Sequence, residues 1–145
     1  MSTVLILNGP NLGRLGSREP DVYGSGTLDD LKARLEAEAS GLTIDLRQTD
    51  DEATLIGWLH EAVDSKYPVI LNPAAFTHYS YALSDAAKLV TAAGLILIEV
   101  HLSNPHAREE FRHTSVISAV ATGTIAGLGF DSYSLALAFV RSRLG

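Results

Sequence analysis

Leu95-Ile96-Leu97-Ile98-Glu99-Val100-His101-Leu102-Ser103-Asn104-Pro105-His106-Ala107-Arg108-Glu109-Glu110-Phe111-Arg112 begins as an apolar, β-branched run and turns abruptly polar. A run that does not alternate is what a strand covered on both faces requires, and such strands belong to parallel sheets. In open α/β sheets ligands bind just beyond the carboxyl ends of the strands, so an acid, two histidines, a serine and two arginines gathered there point to a site. Two other segments repeat the pattern: Thr3 to Asn8 ends at Gly9-Pro10, and Val69-Ile70-Leu71 runs into Asn72-Pro73.

Helical periods fill the intervals. Thr27, with Asp30 three residues on, is an N-cap for a helix whose Leu28, Leu31 and Leu35 form one stripe and which Gly41 ends. Leu42 to Gln48 alternates as an edge strand would. Leu55, Leu59, Ala62 and Val63 with Trp58 mark a second helix closed by Pro68, and a third spans about Tyr79 to Ala93 before Gly94. Ala119 to Ala126 is expected as a fifth strand, and Gly127-Leu128-Gly129 leads into a C-terminal helix. From Gly9 to about Gly26 the chain shows no helical period, and loops of that length in compact domains are commonly lids. Five strands alternating with helices predict an α/β, flavodoxin-like, three-layer doubly wound fold with a parallel sheet in the order 2-1-3-4-5.

The 145 residues suit one domain, and their 46% hydrophobic content can supply its core. The net charge of −6 opposes general affinity for nucleic acid, and no run reaches the roughly 20 apolar residues that span a bilayer. The expectation is a soluble cytoplasmic protein with neither nucleic-acid nor membrane partners. Without cysteine there is no thiolate nucleophile and no disulfide. Arg14, Arg18, Arg108 and Arg112 nevertheless cluster in two loops that follow strands, a pattern suited to a small anionic substrate.

Three loops would meet at the switch point. The first supplies Asn8, Asn11, Arg14, Arg18 and Tyr23. Tyr23 reads either as a packing residue with a wet hydroxyl or as a base, since a guanidinium such as Arg18 favours the phenolate. The second supplies Asn72 and His78, which in isolation read as a turn residue and a helix-start residue, with Asp85 farther along the helix as an ordinary surface carboxylate. The third is the strongest. Glu99 and His101, two apart on a strand, face the same side, where the carboxylate can orient the imidazole for acid/base work. There is no dinucleotide or P-loop glycine motif, and Glu99, His101 and His106 do not have a recognised metal-ligand spacing, so neither cofactor nor metal is expected.

Taken together, Asn8-Gly9-Pro10-Asn11-Leu12, Gly16-x-Arg18-Glu19-Pro20-x-x-Tyr23-Gly24, Asn72-Pro73-x-Ala75-x-Thr77-His78, Ile98-Glu99-Val100-His101-Leu102-Ser103-Asn104 and Arg108-Glu109-x-Phe111-Arg112 resemble type II 3-dehydroquinate dehydratase over essentially the whole chain. The resemblance implies a cofactor-free hydro-lyase that converts 3-dehydroquinate to 3-dehydroshikimate by anti elimination through an enolate. The same reaction serves aromatic biosynthesis by the shikimate route and quinate breakdown. By the family's pattern Tyr23 is the base, Arg18 holds it as phenolate, Asn11 positions a water at the enolate oxygen, and His101, oriented by Glu99, protonates the departing hydroxyl. Asn72, His78, Leu102, Ser103 and Arg112 match substrate-binding positions, with Arg108 near the tyrosine and lid. Asp85 matches a residue that reaches a neighbouring subunit's site in trimers assembled into a homododecamer. Relative to the commonest pattern, Gly13-Arg14 replaces Asn-Leu, Ala74 a Gly, Tyr79 a Thr, and Ser84 the Arg before Asp85. A non-catalytic anion-binding module of the same fold is the competing expectation from another class.

Overall fold

The computed structural model describes residues 2–17 and 19–144. Its centre is a five-stranded sheet, β1 (Thr3–Asn8), β2 (Thr43–Gln48), β3 (Val69–Asn72), β4 (Leu97–His101) and β5 (Gly123–Ala126), in the order β2-β1-β3-β4-β5 with every pair parallel. This is the sheet the sequence pattern predicts. The helices are a single turn α1 (Pro20–Tyr23), α2 (Leu28–Ala37), α3 (Glu52–Ser65), α4 (Tyr81–Ala92) and α5 (Asp131–Leu144).

Side-chain alternation along the strands sorts the core into two layers. Val4, Ile6, Ile70, Ile98 and Val100 pack with Leu31 and Leu35 of α2 and Leu137 and Val140 of α5. Leu5, Leu7, Val69, Leu71 and Leu97 pack with Leu55 and Leu59 of α3 and Leu83 and Val90 of α4. Each fully buried Leu, Ile or Val contributes about 2 kcal/mol of transfer free energy. Because Leu97 belongs to the second layer, Glu99 and His101 also emerge on the α3/α4 side.

Several boundaries differ from the sequence expectation. β5 starts at Gly123 rather than Ala119, since the N–H groups of Val120 and Ala121 both turn back onto the Ile117 carbonyl, at 3.0 Å each. β4 starts at Leu97 rather than Leu95. α4 starts at Tyr81, because Ser80 is the N-cap and accepts from the Leu83 N–H at 3.0 Å. A 3-10 turn over Ala74–His78 occupies the space before it. The first loop is not free of helix: a 3-10 turn covers Leu12–Arg14, and Pro20 opens α1 at the position where its missing N–H costs nothing. Thr27 and Asp30 form a full reciprocal capping box, with bonds of 3.1 and 3.0 Å, which fixes where the loop ends. On the outer edge Arg47 forks between Asp45 and Glu61 at 2.8 to 3.0 Å and stacks 5.5 Å over the ring of Trp58.

Candidate active site

The carboxyl ends of β1, β3 and β4 open into a cavity of about 180 Å³. Of the residues expected there, Asn11, Tyr23, Asn72, His78, His101 and Leu102 line it, as do Ser103, Arg108 and Arg112. Glu99 stands behind His101 rather than at the surface of the cavity. Asp85 is exposed on α4 and does not line it. Arg18 falls outside the described residues.

The loops after β1 and β3 approach so closely that a Cβ on Gly9 would sit 2.7 Å from the Pro73 carbonyl oxygen, which explains a glycine there. Asn11 follows in the left-handed region at φ 69°, and Asp50, at the end of β2, holds it by accepting its N–H at 2.9 Å. Gln48 braces the same turn, donating to Asp50 and to the Gly9 carbonyl at 3.0 and 3.1 Å. Hydrogen bonds to the Asn11 N–H and Gln48 keep the Asp50 carboxyl below its ordinary pKa, so it remains an acceptor in mildly acidic solution.

Tyr23 closes α1 and is half-buried, with the Arg108 guanidinium 5.2 Å over its ring. Arg108 also donates to the Ser103 hydroxyl at 3.1 Å, tying the tyrosine's loop to the segment after β4. Arg112 donates to Glu109 at 3.0 Å and packs against Phe111. His78 presents Nδ1 to the Thr114 carbonyl at 2.8 Å. A carbonyl only accepts, so Nδ1 carries the proton and Nε2 of the neutral ring is an acceptor. Burial pushes the His78 pKa down, the charges of Arg112 and His101 push the same way, and together they outweigh the Thr114 carbonyl.

The centre of the site is the Glu99–His101 pair. Glu99 is fully buried, and the His101 Nε2–H donates to its Oε2 at 2.6 Å, leaving Nδ1 as the other ring nitrogen. A buried carboxylate needs donors on all sides. Here Thr77 donates to Oε2 at 2.5 Å, Ser115 donates to the same oxygen at 2.9 Å, and Ser118 donates to Oε1. Burial alone would raise the Glu99 pKa, but the bonds from His101, Ser118 and Thr77 overcome it and hold the group at about 2. The result is a carboxylate that stays ionised down to strongly acidic pH, behind a histidine that faces the cavity.

Sequence reasoning missed most of this support. Thr77 was visible within a motif without a role, and Ser115 and Ser118 were not singled out. Their signal was indirect: an acid inside an apolar strand demands hydroxyl or N–H partners, and Thr114-Ser115-x-x-Ser118 is a nearby hydroxyl-rich run. Gln48 was read only as the end of an edge strand, and Asp50 was given no role. Among the described residues, no group of three or more His, Asp or Glu side chains is arranged to hold a metal ion.

Residues 2–141 match the family model described as Dehydroquinase class II. The chain is 58% identical over 139 residues to the 3-dehydroquinate dehydratase of Mycobacteroides abscessus, covering 94% of each chain, and 54% identical over 143 residues to that of Kineococcus radiotolerans, covering 97% of this chain and 96% of the relative. Among solved structures, the type II dehydroquinase of Propionibacterium acnes superposes with a TM-score of 0.93 at 52% identity, over 98% of this chain and 97% of that one. With its sheet order, its switch-point cavity and these relatives in agreement, the chain belongs to the class II dehydroquinase family.

Proposed function

We infer that this protein is a hydro-lyase of the shikimate pathway that dehydrates 3-dehydroquinate to 3-dehydroshikimate, and we propose the following roles for its residues. The observation that carries them is the Glu99–His101 pair, 2.6 Å apart, with His101 on one wall of a cavity whose opposite wall, from the first loop, carries Tyr23. Tyr23 removes the proton next to the substrate ketone, and the electron pair moves onto the carbonyl oxygen as an enolate. Asn11 holds a water against that oxygen, supplying the charge stabilisation that proton removal requires. The enolate then collapses with loss of the β-hydroxyl, which takes a proton from His101 and leaves as water. Glu99 orients the imidazole and stabilises its charged form before transfer. By the family's pattern Arg18 favours the phenolate form of Tyr23. Asn72, His78, Leu102, Ser103 and Arg112 hold the substrate's carboxylate and hydroxyls, and Arg108 ties Tyr23 to the segment after β4.

No step requires a cofactor. The test is conversion of 3-dehydroquinate by the purified protein in chelator, together with resistance to borohydride in the presence of substrate. Absence of turnover would overturn the assignment, and a ligand-induced thermal shift without turnover would favour the anion-binding module instead. Use in quinate breakdown would show the same assay result, and a cytoplasmic setting accords with the biosynthetic role.

The oligomer is part of the same proposal. A second cavity of about 270 Å³ lies on the other side of His101 and is lined by His78, His106, Arg112 and His113, a set that suits an incoming carboxylate. Asp85 stands exposed on α4, with Tyr81 and Leu89 exposed on the same helix, as a helix that docks onto another subunit would be. Trimers placing Asp85 against the neighbouring site, four to a homododecamer, fit this arrangement.

A further inference from the structure

Where β1 and β3 lie side by side, both end in asparagine, with Asn8 opposite Asn72. The hydroxyl of Tyr133, a fully buried residue in the first turn of α5, sits between them. Asn72 Nδ2 donates to that hydroxyl at 2.9 Å, and the hydroxyl donates to Asn8 Oδ1 at 2.6 Å. The groups at the two ends dictate these directions. The Ala74 N–H, which only donates, bonds Asn72 Oδ1 at 3.1 Å, and Asn8 Nδ2 donates to the carbonyl of Arg47 at 3.0 Å. Neither amide can turn over without setting like against like. The phenol must therefore accept from Asn72 and give its own proton to Asn8. Burial raises the Tyr133 pKa further above its ordinary value, against the bond from Asn72, so it stays a neutral phenol with a proton to give.

Asn72 Nδ2 carries two hydrogens. One goes to Tyr133, and because Asn72 lines the cavity, the other is left for its occupant. We propose that Tyr133 is a positioning residue for substrate recognition: through Asn72 it sets the amide so that this second N–H meets a substrate oxygen. The inference rests on Asn72 being a substrate-binding residue, and it adds α5, which touches no substrate, to the apparatus of the site.

The test is a kinetic cycle of Tyr133→Phe, Asn72→Ala and the double variant, each checked for native circular dichroism and wild-type assembly mass. Tyr133→Phe is expected to raise KM about tenfold while kcat falls less than about threefold. In the Asn72→Ala background it should change KM by less than about twofold while still lowering the thermal midpoint. A purely structural tyrosine would lower the midpoint in both backgrounds and leave KM alone. Raised KM in Asn72→Ala but not in Tyr133→Phe would overturn the inference alone, as would effects that multiply in the double variant. Unchanged KM in Asn72→Ala would overturn the reading of Asn72 and the inference with it. Should Tyr133→Phe not fold, asparagine-selective ¹⁵N labelling of the wild-type protein decides: the Asn72 side-chain resonance, identified by its loss in Asn72→Ala, must move on adding 3-dehydroshikimate. An unmoved resonance would overturn the proposal.

Discussion

At the scale of single residues, Glu99 shows how much one buried charge demands. His101, Thr77, Ser115 and Ser118 all donate to it, and they hold its pKa at about 2 against an ordinary 4.5. A depressed carboxylate pKa stabilises the fold above the unfolded value and ceases to do so as pH falls through the folded one. Stability should therefore decline between about pH 4.5 and pH 2 by roughly 3 kcal/mol from this group. Thermal midpoints measured down that range should fall, and in Glu99→Gln the fall should be shallower; parallel curves would refute the role given to the carboxylate. Tyr23→Phe should lower kcat at least about 100-fold with the thermal midpoint near wild type, and His101→Ala should lower kcat as much while also lowering the midpoint, because it takes a donor from the buried Glu99 carboxylate. Retained activity in either removes it from the mechanism. At this scale the sequence was most legible where chemistry requires a fixed spacing, as with Glu99 and His101, and least where a side chain reaches across the fold. Ser118 is 19 residues from Glu99, and Tyr133 is 125 from Asn8, so no local pattern announces either bond.

Among elements, the strands proved readable because burial on both faces forces continuous apolar runs, and the errors fell at their ends. Val120 belongs to a turn despite its β-branched side chain, because the Ile117 carbonyl captures its N–H before the ladder with β4 begins. The first loop was harder, since α1 is a single turn initiated by Pro20 and too short to show a period. Its far end is anchored by the approach of Gly26 to Phe130, where a Cβ would lie 2.6 Å from the ring. Gly26→Ala should displace that ring and the end of the loop, lowering kcat/KM several-fold. In a Phe130→Ala background the same substitution should have no further effect. An equal loss in both backgrounds would show that the contact does not govern the loop.

For the whole molecule, the parallel sheet gathers the loops after β1, β3 and β4 at one crevice, and α5 returns beneath it to bond the end of β1. The proposed role of Asp85 in a neighbouring site comes only from family resemblance, because in a single chain it is indistinguishable from any exposed helical carboxylate. Light scattering should give the mass of a trimer or of twelve chains. Asp85→Ala should then raise KM without reducing that mass, and a fully active monomer would refute a shared site. The outer edge of the sheet has a different use. Trp58, the chain's one tryptophan, stacks under Arg47 on the β2/α3 flank and is not among the residues around the catalytic cavity. Its emission is thus a native optical probe of global unfolding that stays dark to occupancy of the cavity, so a titration with substrate that leaves tryptophan fluorescence unchanged is the response expected of a fully functional enzyme.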